Sequence, residues 1–256
     1  MGARGYPNLL AWSEVQHQTI SLGYSCKPMK SLEELALEFC VFELRYNPSP
    51  MIWDAAGSIW TSAIAANPSL AFALAQPNQQ VFETDSLQLT LDITTLRVIG
   101  RGENALAEVS RNASLLLKII SEKLKLQTFT RAGLRIIRSK VFESSPQALK
   151  AAAVSIDEES PAFGKDARKV GFAKNTRFET DESGLLASLR VEEREFSFTI
   201  PWESRPRIGA KLNRKEWVVV SDLDYYTVGK IDREVFDVET WLRQAVKKME
   251  REWSAI

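Results

Sequence analysis

Hydrophobic and polar residues alternate from position 40 to 46. Cys40, Phe42, Leu44 and Tyr46 fall on one side, and Val41, Glu43 and Arg45 on the other. A period of two predicts a half-buried strand. Just before it, Ser31 and Glu34 have capping-box spacing, which predicts one or two helical turns through Leu32, Leu35 and Phe39. After it the period lengthens. Ser49-Pro50 supplies an N-cap hydroxyl and a proline for the first helical position. Ile52, Ala56, Ile59, Trp60 and Ala63 make a helical stripe that Asn67-Pro68 stops. Val81 to Glu83 turns through Thr84-Asp85-Ser86 into Leu87, Leu89, Leu91 and Ile93, which alternate with polar residues as strands do. Leu96 to Ile99 reads as another strand, ending at Gly100-Arg101-Gly102. A long amphipathic helix follows, with Leu106, Val109, Ala113, Leu116, Leu117, Ile120 and Leu124 on one side. The strand Thr128 to Ile137 closes this unit.

The second part of the chain repeats this grammar more loosely. Ser145-Pro146 opens a helix, and a polar stretch from Asp157 to Gly171 reads as a loop. Strands are expected at Phe172 to Phe178, Leu185 to Val191 and Glu195 to Ile200. A long basic loop, Pro201 to Lys215, should lead into a strand from Trp217 to Tyr226. The last helix carries Val238, Trp241, Leu242, Ala245, Met249 and Trp253 on one face and charges of alternating sign on the other. Leu91-Asp92-Ile93-Thr94-Thr95-Leu96 and Leu223-Asp224-Tyr225-Tyr226-Thr227-Val228 are alike, and each precedes a long helix. The expected fold is therefore α+β with two related halves, each an antiparallel sheet covered by a long amphipathic helix. Residues 1–30 form an N-terminal arm, 31–140 the first half and 141–256 the second.

Composition narrows the function classes. With 45% hydrophobic and 26% charged residues among 256, the chain can bury a core without staples. Lys+Arg and Asp+Glu number 33 each, so nucleic-acid binding would need local basic patches. Cys26 and Cys40 are not in a CxxC pair and read as reduced thiols. The most apolar window, Ile64 to Ala75, is interrupted by Asn67-Pro68 and too short to span a bilayer. No leader-like opening is seen, so a cytoplasmic protein without membrane contact is expected. The single histidine, His17, sits in a polar stretch with no cysteine or carboxylate at ligand spacing. Histidine-based catalysis and zinc binding are therefore not expected, and neither is a cofactor or a catalytic residue.

The run Phe129-Thr130-Arg131-Ala132-Gly133-Leu134-Arg135-Ile136-Ile137 resembles the T-R-x-G-L-R strand signature of an uncharacterised bacterial family whose members have about this length. Phe42-Glu43-Leu44-Arg45-Tyr46 is similar to that family's opening strand. Asp222-Leu223-Asp224-Tyr225-Tyr226 with the final amphipathic helix is similar to its ending. The resemblance spans residues 40 to 253, with Arg138 standing where a polar, uncharged residue would follow the signature. It implies a fold and a bacterial origin but no activity. The family's sporadic distribution implies an accessory gene, with antiviral defence as the kind of system it suggests.

Three constellations carry candidate chemistry. Arg131, Gly133 and Arg135 share one strand face, where two guanidiniums beside a glycine could clamp an anion. The alternative is cross-strand pairing with Glu43 or Asp92, which would make both arginines structural. Asp222 and Asp224 also share a face, but D-x-D without a phosphate loop is weak evidence for Mg²⁺, and no metal site is expected. Two basic clusters remain: Arg205, Arg207, Lys211, Arg214 and Lys215, and Lys165, Arg168 and Lys169 with Lys174 and Arg177 beyond them. Aromatic residues flank both, and such mixtures can track a phosphate backbone. The expected function is a non-enzymatic interaction or assembly subunit of a bacterial accessory system, with a protein partner. The alternative is a nucleic-acid or nucleotide binder using the basic loops.

Overall fold

The computed structural model describes residues 29, 31–76, 78–154, 169–202 and 205–253, excluding the side chains of 72, 196–202 and 205–213. The described residues contain nine strands: β1 (Ala36–Tyr46), β2 (Ala71–Gln76), β3 (Gln79–Glu83), β4 (Leu87–Asp92), β5 (Thr95–Arg101), β6 (Thr128–Phe142), β7 (Phe172–Glu179), β8 (Ser183–Trp202) and β9 (Arg205–Asp232). They form one sheet in the order β2-β3-β4-β5-β1-β6-β9-β8-β7, and every neighbouring pair is antiparallel. The helices are α1 (Met51–Ala66), α2 (Ala105–Lys123), α3 (Ser145–Ala151) and α4 (Val238–Trp253). The α+β class expected from the patterning is present. Because β6 pairs with β1 on one side and β9 on the other, the two expected sheets are one continuous sheet.

Alternation decides which face is buried. Cys40, Phe42 and Leu44 of β1, Leu96 and Val98 of β5, Ala132 and Leu134 of β6, and Leu223 and Tyr225 of β9 join one apolar cluster with the stripes of α1, α2 and α4. In α2 that stripe is Val109, Ala113, Leu116 and Ile120, at helical spacing. The Trp241 ring of α4 meets Phe42 edge-on at 5.9 Å, a favoured aromatic geometry. A second cluster seats Ala148 and Leu149 of α3 against Leu189, Val191 and Val219. Burial pushes the Cys40 thiol up to about 12, so it stays protonated and packs as a small hydrophobe. Among the described residues, no helix is long and apolar enough to cross a membrane.

Several local expectations are corrected. The opening helix is a single 3-10 turn, Leu32–Glu34, with Ser31 accepting from the Glu33 amide; Ala36 is already strand because it pairs with Ser139. Pro50, not Ser49, holds the cap position of α1. Strand β2 begins inside the apolar window Ile64 to Ala75, which gave no strand signal, and ends one residue beyond it. The predicted loop from Pro201 to Lys215 is not a loop: β8 runs unbroken to Trp202, which pairs with Arg205, and β9 starts there. Ladder pairing from Glu195↔Lys215 to Pro201↔Gly209 holds that basic run extended. The arm residues other than Met29, with His17 and Cys26 among them, lie outside the described residues, as does most of the predicted loop from Asp157.

Candidate functional site

The face of the sheet opposite the helices is built by the other half of each alternation. Around the centre, register sets the side chains in three rows across β5, β1, β6 and β9. Arg97, Glu43, Gly133 and Tyr226 form the middle row. Ile99, Val41, Arg135 and Asp224 form a second, and Thr95, Arg45, Arg131 and Val228 a third. Gly133 is thus the one position in the middle of this grid without a side chain. Arg131 and Arg135 stand on either side of it along β6, and Glu43 and Tyr226 on either side across the strands.

Most charges in the grid are already matched. Glu43 accepts from Arg45 Nε at 2.7 Å and from Arg97 Nη2 at 2.6 Å. Burial works against its charge, but these two guanidiniums outweigh burial and hold its carboxyl below the usual range. Arg135 grips Asp222 with two parallel bonds, Nε to Oδ1 at 2.9 Å and Nη2 to Oδ2 at 2.7 Å. The fork-to-carboxylate geometry is the strong form of this pair, and it raises the Arg135 pKa further. The expected structural role of Arg135 therefore has a geometry, but the partner differs from Glu43 and Asp92. Glu43 is occupied by Arg45 and Arg97, and Asp92 accepts from the amide and hydroxyl of Thr94.

Arg131 differs. Its guanidinium carbon lies 4.6 Å over the Tyr226 ring, and its Nε is buried without a hydrogen-bond partner. No ion pair joins it to a carboxylate among the described residues. Asp224 is half-buried, and burial raises its pKa against the pull of Arg131 and Arg135, helped by repulsion from Asp222 and Glu43. Arg131 and Asp224 border the same depression of about 440 Å³, together with Gly133, Glu43, Arg45 and Arg97.

The remaining sequence candidates fall elsewhere. Arg214 pairs with Glu216 at 2.5 Å and Lys215 with Glu193 at 3.2 Å, so both are neutralised in the β8–β9 ribbon. The side chains of Arg205, Arg207 and Lys211 lie outside the described residues, as do Lys165 and Arg168. Lys169 lies half-buried ahead of β7. Asp222 and Asp224 do share a face, but Arg135 holds Asp222. Among the described residues, no three His, Cys, Asp or Glu side chains gather as a metal site requires. Sequence reasoning missed Arg45, Arg97 and Tyr226, whose role at the grid depends on register. No protein-family profile and no curated protein matches this chain.

Proposed function

We propose that this chain is a non-enzymatic assembly subunit of a bacterial accessory system, and that the helix-free face of its sheet receives a protein partner. The observation carrying this reading is the charged grid around Gly133. Cross-strand bonds hold Arg97 to Glu43 and Arg135 to Asp222, and Arg131 stacks on Tyr226, yet no described helix covers them. Fixed charges of both signs on a rigid sheet favour partner choice and orientation over raw affinity. Defence as the setting rests on the family resemblance alone.

We also propose that the two flanks arose from one repeated unit. The order of elements supports this: strand, helix, meander, helix occurs twice, and in each case the first strand lies beside the last strand of its own meander. The two first strands, β1 and β6, then pair antiparallel at the centre.

Cross-linking mass spectrometry on a complex purified from a native host tests the main reading. Cross-links from the partner to Glu43 or Asp224, which border the grid depression, are expected. Cross-links confined to the outer sides of α1, α2 and α4 would overturn it, as would turnover of a substrate by the purified chain. Titration with single-stranded and duplex oligonucleotides separates the nucleic-acid alternative, for which affinity should fall steeply with salt.

A further inference from the structure

Gly100, Gly133 and Gly184 lie inside strands without a left-handed φ, and packing requires glycine at two of them. A Cβ on Gly100 would come within 2.8 Å of the Ala105 carbonyl oxygen and of Val109 Cγ2, where α2 meets β5. A Cβ on Gly184 would come within 2.5 Å of the Tyr226 ring, which leans across β8 at that position. Gly133 is the neighbour of Tyr226 on the opposite side, and the ring turns away from it. A Cβ there would meet nothing closer than 3.9 Å, and its φ lies outside the left-handed region. Neither packing nor backbone conformation calls for glycine at position 133. Glycine in a strand interior costs stability and otherwise marks a place where a ligand or another backbone comes close.

The surroundings define what could come close. Four arginines and two carboxylates border the depression above Gly133. Arg45 and Arg97 share Glu43, and Arg135 is taken by Asp222 from outside the depression. Arg131 forms no ion pair among the described residues and has a buried Nε without an acceptor; the Asp224 carboxylate borders the same depression and feels its charge without bonding to it. Its guanidinium plane is steadied on Tyr226, so the loss of side-chain freedom on binding is already met. We propose that the space over Gly133 is a subsite for an oxyanion, a carboxylate or phosphate group, that accepts from the Arg131 guanidinium. This rests on reading the helix-free face as the binding face, and it makes an acidic group the anchor of whatever docks there.

The test uses the full chain labelled with ¹⁵N-arginine, titrated separately with inorganic phosphate and with succinate. A saturable millimolar shift of the Arg131 Nε–Hε resonance is expected with at least one probe, and which probe binds more tightly distinguishes phosphate from carboxylate. Gly133→Val should fill the space, abolish the shift and leave the melting temperature unchanged or higher. Arg131→Gln should abolish binding of the same probe, measured calorimetrically, whether or not the valine variant folds. No saturable binding of either anion to the parent chain, or binding that survives both substitutions, would overturn the subsite. Partner cross-links to the grid that persist after such a failure would leave the face standing and remove only its anchor; loss of both would remove the face as well.

Discussion

On one side of β6, Ala132, Leu134 and Ile136 are buried beneath helices; on the other, Arg131, Gly133 and Arg135 look onto the grid. Both sides are ordered by the same ladder, but the energies that order them differ. Beneath the helices each side chain is held by close packing, where lost contacts and cavities cost several kcal/mol. On the grid each charge is held by one or two neighbours beside solvent, where a pair contributes at most about 1 kcal/mol. A sheet built this way keeps its fold in the packing under the helices and leaves the charged grid on the other face free to change without unfolding.

That contrast can be broken at a series of positions. Leu134 is fully buried in the main core, so Leu134→Ala should cost about 2–5 kcal/mol in urea unfolding. A loss under 1 kcal/mol would mean the core can collapse around the gap. Gly100→Ala, which would force β5 and α2 apart, should cost about 1–3 kcal/mol, whereas Gly133→Ala should be neutral or stabilising. Equal losses at the two glycines would erase the distinction between the faces. Arg135→Ala should lower stability by about 1 kcal/mol or less, given that half the side chain is exposed. Adding Asp222→Ala to it should cost little more, and thermal unfolding of the single and double variants checks this.

The smallest effect concerns Asp224. Its folded pKa is raised, chiefly by burial, so its ionised form is worse placed in the folded chain than in the unfolded one. The favourable contribution of its protonated form is present below the unfolded value, about 3.9, and is lost as pH rises through the folded value. Asp224→Asn should therefore raise the melting temperature slightly at pH 7, with the gain disappearing below about pH 4. Glu43 has the opposite sign: its lowered pKa supports the fold above the ordinary carboxylate range, and that support is lost on acidification. A melting temperature for Asp224→Asn that falls at neutral pH would show that Asp224 holds the grid together.

The elements most legible in the sequence were those whose period and packing agree. The alternation of β4 and the stripe of α2 each appear where they were expected, since a sheet face buries Leu87, Leu89 and Leu91 and the helix buries Val109, Ala113, Leu116, Leu117 and Ile120. Strand β2 was hidden because Ala71, Ala73 and Ala75 have weak strand preference, and pairing with β3 supplies what the residues lack. The ribbon of β8 and β9 was hidden because Pro201, Gly209 and a dense run of basic residues imitate a loop. At the site, the spacing of Arg131, Gly133 and Arg135 was visible directly. Their different fates were not, because Asp222 is 87 residues from Arg135 and the choice between carboxylates depends on register across three strands. The solitary state of Arg131 follows from where Tyr226 leans, which no local pattern encodes.

Strand β1 occupies the middle of the sheet, yet it is made first. Its ladder partner Leu134 follows Phe42 by about ninety residues, and closing a loop of that length is entropically slow compared with zipping the neighbouring hairpins. At a synthesis rate of about 5–20 residues per second, β1 waits several seconds on the ribosome before β6 exists. Until β5 exists Phe42 and Leu44 line a strand with both edges open, and until β6 exists one edge stays open, so a stretch that ends fully buried is exposed while the chain is being made. A chaperone that shields extended apolar segments would accordingly raise the yield of folded chain through β1 rather than through the long ribbon of β8 and β9.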